Sequence, residues 1–289
     1  MPELPEVETV KRGLLKLIVG KKIQIASSDT ARSFPNAPAD VQQFLVNASI
    51  TDVRRRAKVL LIDLSTDYTL VIHLKMTGQL VFVDVRSRFG AGHPNDSLVG
   101  TLPDKSTRVI IKFTDDSHLY FNDQRKFGWV RLMPTIEVPN IDFMKRVGPE
   151  PLEPDFTAAE FAERFKRRAR TTIKAAILDQ SVIAGVGNIY ADESLWGAKI
   201  HPARLVGTIT NAEFKKLYTE VRAVMNLSIE KGGSTNRNYV NAEGKKGSYM
   251  DFARVFRREG LACPRCGTEI IKIRVAGRGT HICPKEQTL

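Results

Sequence analysis

The sequence predicts an α+β protein of several domains: a β-sandwich or barrel behind a leading helix, then a helical domain, then a short cysteine-bearing β-hairpin. Three observations predict it. The chain has 289 residues, too many for a typical single domain. Runs rich in β-branched and aromatic residues crowd the first half, and helical periodicity with capping boxes takes over after a cluster of prolines. All three cysteines, Cys263, Cys266 and Cys283, lie in the last 27 residues.

The elements follow in order. Val7, Val10, Leu14, Leu17 and Ile18 mark one face of an N-terminal helix. Val59–Leu64, Thr69–Leu74, Leu80–Val83, Arg108–Phe113, His118–Phe121 and Trp129–Leu132 read as strands separated by turn-formers. Arg86–Ser106 reads as a long, mobile polar loop. Residues 1–133 form the expected first domain. Pro134, Pro139, Pro149, Pro151 and Pro154 mark a linker, taken as 134–150, before a helical domain over 151–240. There Thr157-Ala-Ala-Glu160 and Thr210-Asn-Ala-Glu213 are capping boxes. The second opens a long amphipathic helix through Phe214, Leu217, Tyr218, Val221, Met225 and Ile229 that stops at Gly232-Gly233. Residues 254–289 make the hairpin module.

Hydrophobic residues at 42% and charged residues at 26% are ordinary globular composition. Collagen-like, disordered and disulfide-scaffold classes are excluded. No apolar run reaches the roughly 18–20 residues of a membrane span. The acidic start, Met-Pro-Glu-Leu-Pro-Glu, has no apolar h-region, so a cytoplasmic location is expected. Lys and Arg number 44 against 32 Asp and Glu, a net charge of +12. Such a field attracts polyanions, and nucleic acid is the leading partner class. Many soluble proteins are basic, so charge alone does not decide it. An odd cysteine count clustered in one segment argues against disulfides and for a metal site or its remnant.

Two constellations carry chemistry on their own terms. Removal of Met1 before Pro2 leaves a secondary amine, which can attack an electrophilic carbon as lysine amines do, with Glu3 beside it to move protons. Gly185-Val-Gly-Asn188 precedes a helix whose N-terminus offers a phosphate seat. Each is weak alone.

The blocks Pro2-Glu-Leu-Pro-Glu-Val-Glu8, Arg56-Ala-Lys58, His73-Leu-Lys-Met76-Thr-Gly78, Asp123-Gln-Arg125-Lys-Phe127-Gly128, Gly148-Pro-Glu-Pro151, Gly185-Val-Gly-Asn188-Ile-Tyr190, His201-Pro202, Gly232-Gly-Ser-Thr235 and Ala276-Gly-Arg278-Gly-Thr280 run the length of the chain. Together they resemble the formamidopyrimidine-DNA glycosylase family, in family order. Leu4 favours that branch over endonuclease VIII-like enzymes, which act on oxidised pyrimidines. A non-catalytic DNA binder on the same scaffold is the reading from another class.

The resemblance implies a β-sandwich, a helix–two-turn–helix domain and a zinc finger, with double-stranded damaged DNA held between the two domains by a monomer at the nucleoid. It implies excision of oxidised purines and cleavage of the abasic strand. Pro2 is implied as the nucleophile, Glu3 as acid/base, and Lys58 and Arg278 as further catalytic groups. Glu6 and Thr235 are implied contacts to the damaged base. Met76, Arg125 and Phe127 are implied to fill the gap left by an extruded nucleotide, a step that costs a few kcal/mol. Asn188, Tyr190 and Arg237 are implied DNA contacts. Ser234–Lys246 resembles the loop that closes over the flipped base.

The family's zinc pattern is Cys-x2-Cys-x16-Cys-x2-Cys. Here Cys263-Pro-Arg-Cys266 is followed by Cys283-Pro-Lys-Glu286, so Glu286 occupies the fourth position. Three outcomes stand open. Glu286 ligates a Zn2+ ion alongside three thiolates, or His281 swings in, or the hairpin holds by packing without metal. Structural zinc sites rarely use a carboxylate in place of thiolate, so weaker zinc binding is the favoured expectation.

Overall fold

The computed structural model describes residues 2–93, 95–234 and 249–289. Contacts divide the chain into two compact units, Met1–Lys145 with Lys231–Ser248 and Arg146–Glu230 with Tyr249–Leu289.

The first unit opens with α1 (Leu4–Ile18), which buries the predicted Val7, Val10, Leu14 and Ile18 and packs Leu17 at the core's margin. Among the described residues nine strands follow: β1 (Ile23–Ser28), β2 (Ile50–Arg56), β3 (Val59–Leu64), β4 (Tyr68–His73), β5 (Gly78–Val83), β6 (Arg88–Gly92), β7 (Thr107–Phe113), β8 (His118–Asp123) and β9 (Trp129–Pro134). A helical turn, α2 (Pro38–Asp40), lies between β1 and β2. The strands make two antiparallel sheets, ordered β1-β7-β8-β5-β6 and β2-β3-β4-β9. Leu60, Ile62, Leu70 and Ile72 of one sheet meet Leu80, Phe82, Ile111 and Phe121 of the other in one core with the α1 face. This is the expected sandwich.

The outer faces are covered too. Val59, Leu61 and Val71 pack beneath Val138, Ile141, Phe143 and Met144. These come from the turn Thr135–Asn140, from Ile141 after it and from α3 (Asp142–Arg146). Much of the segment expected as a linker is therefore a strap on the first unit, because the second face of β3 and β4 is also apolar and needs cover.

The expectation of a mobile Arg86–Ser106 loop is corrected. It contains β6, paired with β5 along Gln79↔Gly92 to Val83↔Arg88. The Phe89 ring occupies the space a Cβ on Gly13 of α1 would need. Leu98 covers Val81 and Tyr120 on the outer face. The polar residues bind one another: Arg88 donates to the Leu98 and Ser97 carbonyls at 2.9 and 3.0 Å, and Asp104 accepts from Ser97 and Ser106 at 2.6 and 2.7 Å.

The second unit holds α4 (Ala158–Lys166), α5 (Ile173–Leu178), α6 (Asn188–Ala198) and α7 (Asn211–Glu230). Thr157 caps α4 through the Glu160 N–H at 3.1 Å. Thr210 and Glu213 cap α7 reciprocally, at 3.2 and 2.8 Å. Helix α7 buries Phe214, Leu217, Val221 and Met225. The hairpin pairs β10 (Ile271–Val275) with β11 (Arg278–Ile282). Its two turn residues, Ala276 and Gly277, have φ of 52° and 72°, the left-handed pair of a tight hairpin turn. Trp196 of α6 packs with Val255, Ile270, Cys263 and Cys283. No helix of the described residues is long and apolar enough to cross a membrane.

Candidate active site and cysteine centre

Pro2, Glu3 and Glu6 come together at the start of α1, all buried. Glu3 is the N-cap, and its side chain accepts the Glu6 N–H. Glu6 returns the bond: its Oε2 accepts the Glu3 N–H at 2.7 Å. Its Oε1 accepts the Ser234 N–H, also at 2.7 Å. Gly233, at φ 88°, lets that strand of chain approach Glu6. Glu6 thus has a structural duty beyond helix charge: it ties the chain after α7 to the N-terminus. Thr235 and Arg237 lie outside the described residues.

Lys58 follows Ala57, whose φ is 52°, in the turn between β2 and β3. It is 6% exposed, so a solvated strand-edge charge is excluded. Arg54 to Arg56 are the end of β2. Arg55 reaches Glu8 of α1 at 3.0 Å and thereby holds this turn against the helix. His73, paired with Val59, is neutral: burial first, then the charges of Lys75 and Lys58, push its pKa down to about 3.

Met76, Arg125 and Phe127 form one exposed cluster. Met76 and Phe127 are 39% and 42% exposed, so they are not core residues. Arg125 Nη1 lies 3.0 Å from Met76 Sδ, and its guanidinium is 4.8 Å from the Phe127 ring centre. Asp123, a residue the sequence reading gave no role, builds this turn. Its buried carboxylate accepts the N–H groups of Arg125, Phe127 and Gly128 at 3.1, 2.8 and 2.6 Å, and the Thr77 hydroxyl. An Asp at a strand end before a tight turn is the available signal, because its side chain satisfies backbone N–H groups just ahead.

In the second unit Asn188 is the first residue of α6, after Gly187 as N-cap. Its amide donates to the Gly279 carbonyl at 3.0 Å, which brings the helix N-terminus to the hairpin end that carries the exposed Arg278. Tyr190 is a correction. Its side chain is fully buried, with its hydroxyl 2.5 Å from Ser228, so that side chain packs the core and offers DNA no contact. Two buried acids missed by sequence reading hold this unit. Asp192 pairs with Lys174 and accepts the His281 backbone N–H at 2.9 Å, with the ring Nδ1 at 3.1 Å. Glu193 accepts the N–H groups of Arg254, Val255 and Phe256 at 2.8 to 2.9 Å.

The three thiols lie within 4.8 Å of one another, with Cys266 and Cys283 sulfurs 3.4 Å apart. Hydrogen bonds from Thr268 hold Cys266 down to about 7, and burial pushes Cys283 up to about 11. Three convergent soft donors fit zinc. Glu286, the expected fourth ligand, does not join them. It lies against Lys199 and Arg265 instead, which hold its pKa down. His281 is held by Asp192. Of the side chains weighed for the fourth position, neither Glu286 nor His281 stands with the three thiols here.

These features define an α+β protein joining a sandwich, a helical domain and a cysteine hairpin, and known families match all three parts. Residues 1–130 match the formamidopyrimidine-DNA glycosylase N-terminal domain, 147–240 its H2TH domain, and 260–285 the zinc finger found in FPG and IleRS. A formamidopyrimidine-DNA glycosylase of Pediococcus pentosaceus is 42% identical over the whole of both chains. One of Listeria innocua is 40% identical over 98% of each. A Lactococcus lactis enzyme variant in complex with DNA containing Fapy-dG is similar, with a TM-score of 0.87, 35% identity and full coverage of both chains. A Lactococcus lactis complex with abasic-site DNA has the same TM-score and identity, covering 99% of this chain and all of the other. This chain belongs to the formamidopyrimidine-DNA glycosylase family.

Proposed function

We propose that this protein is a base-excision-repair DNA glycosylase that removes oxidised purines, 8-oxoguanine and formamidopyrimidines, and then cleaves the abasic strand. The supporting observation is the juxtaposition of Pro2 with Glu3 and Glu6 at the α1 N-terminus, in a family whose solved members bind Fapy-dG and abasic DNA. Pro2 is buried in the chain that carries Met1. Removal of Met1 turns its nitrogen from an amide into a free secondary amine. That nitrogen attacks C1′ of an extruded deoxyribose, and the C1′–N bond to the base breaks. Glu3 moves the protons. The C1′–O4′ bond then breaks, with O4′ taking a proton, and the opened sugar is held as an iminium between C1′ and the Pro2 nitrogen. The iminium withdraws electrons, so loss of a C2′ proton expels the 3′ phosphate, and a second elimination expels the 5′ phosphate.

Lys58 and Arg278 are assigned to phosphate and proton handling around the sugar. Met76, Arg125 and Phe127 enter the gap in the stack, and Asn188 seats a flanking phosphate. One zinc ion, supplying fold energy when bound, is held by Cys263, Cys266 and Cys283. The enzyme acts as a monomer on the DNA of the cytoplasm.

Borohydride reduction should trap a covalent enzyme–DNA adduct, and Pro2→Gly should abolish it. Unchanged trapping in Pro2→Gly, or Met1 retained by mass spectrometry in the active enzyme, overturns the mechanism. Duplexes bearing 8-oxoguanine, thymine glycol or an abasic site separate purine from pyrimidine preference.

A further inference from the structure

Glu286 sits where cysteine spacing asks for a fourth ligand, but its carboxylate is already engaged. Oε2 receives Lys199 Nζ at 2.7 Å and Arg265 Nη1 at 3.1 Å. Both cations belong to the end of α6 or reach it. Lys199 is the left-handed C-cap of α6, with φ 61°. Arg265 lies between Cys263 and Cys266, its guanidinium 3.9 Å from the Trp196 ring centre. Its Nη1 and Nη2 point at the Trp196 and Gly197 carbonyls at 3.3 and 3.4 Å. Carbonyls at a helix C-terminus lack intrahelical partners. Arg265 and Glu286 therefore fasten the cysteine module to the end of α6.

We infer that Glu286 is a clasp and not a metal ligand, and that zinc in this protein is held by three thiolates with solvent in the fourth position. The inference rests on the zinc reading above. Among the described residues only the three cysteines gather as potential ligands at this place. Charge favours the same arrangement. The carboxylate gains more from two cations at 2.7 and 3.1 Å than from an ion whose charge three thiolates already outweigh. Moving Glu286 onto the metal would also strip Arg265 and Lys199 of their shared partner. An open fourth position makes the ion more exchangeable than in a closed site.

The test uses the full chain loaded with zinc or cobalt(II). Zinc affinity is read by competition with a chromophoric chelator, ligand set by the cobalt absorption spectrum, and hairpin attachment by amide hydrogen exchange over β10 and β11. Glu286→Gln should keep the wild-type cobalt spectrum and hold zinc affinity within about twofold, whereas Glu286→Cys should raise affinity at least about tenfold, since even outer partners of a metal carry that much. Glu286→Gln should also speed exchange in the hairpin, an effect that about 0.5 M salt reproduces in the wild type by screening. An altered cobalt spectrum in Glu286→Gln, with or without a loss of zinc affinity, makes Glu286 a ligand and overturns the inference. If the wild type takes up neither metal, the zinc reading fails. The exchange arm on metal-free protein then decides the clasp alone: faster exchange in Glu286→Gln upholds it, unchanged exchange removes it.

Discussion

Two exposed arginines of this protein stand on turns that are held in opposite ways. Arg125 belongs to a turn with its scaffold inside: Asp123 lies at its base and takes three of its N–H groups. Arg278 follows a turn of two residues, Ala276 and Gly277, and a Cβ added at Gly277 would meet nothing within 4 Å. That hairpin is fixed from behind, where Asn188 holds Gly279 and Asp192 holds His281. One turn is local and self-supporting. The other borrows its position from a helix about 90 residues away in sequence, as the separations of 89 and 91 show. Damage to the first should stay within the loop, and damage to the second should spread through its unit.

The sharpest way to break that contrast is Asp192→Ala. Lys174 and Asp192 are both fully buried, so the change takes away the carboxylate paired with a buried ammonium and frees His281. Breaking a buried pair from one side typically costs about 3–5 kcal/mol. Urea unfolding should show a loss of that size, with fast amide exchange in β10 and β11. Lys174→Met combined with Asp192→Leu should recover much of the stability but not the hairpin's order. A loss under about 1 kcal/mol in Asp192→Ala would show that the hairpin is held by something else.

Asp123→Ala should cost less, about 2–3 kcal/mol, because water reaches part of the turn it supports. The readout is again urea unfolding, paired with affinity for lesion-bearing duplex. Affinity should fall although Arg125 and Phe127 are untouched, and the second unit's exchange should not change. Wild-type affinity in Asp123→Ala would mean the turn needs no prior organisation.

The same contrast sorts what the sequence made legible. Features set by neighbours in the chain read well: the α1 face, the Thr157 and Thr210 caps, and β3 at its observed bounds. The three cysteines were legible for the same reason. Features set by distant partners did not read. β6 looked like loop because two of its five residues are glycines, Gly90 and Gly92, and only Gly13 of α1 explains why Phe89 docks there. β2 hid behind Arg54 to Arg56, of which Arg54 pairs with Asp63 and Arg55 with Glu8 on other elements. β1 was missed because it is a mostly exposed edge strand, with Ile25 53% exposed. Glu286 was assigned by spacing, yet Lys199 pairs with it across the module. Tyr190 was carried by its motif, and only burial against Ser228 and Tyr249 shows it to be core.

The smallest effect sharpens the contrast most finely. Ala276 holds a left-handed conformation that costs an ordinary residue roughly 1–2 kcal/mol. A two-residue hairpin turn of this kind favours Asn-Gly. Ala276→Asn should therefore stabilise the second unit by about 0.5–1 kcal/mol, seen as slower exchange at Lys272, Arg274 and Gly279. Lys126, at φ 57°, is the matching position in the other turn. Lys126→Gly relieves the same strain, but Asp123 already fixes that backbone from within. Its stability gain should be similar, and its gain in order should be negligible. Equal slowing of exchange at both turns would mean that the carboxylate inside the first contributes no more to its order than empty space contributes to the second.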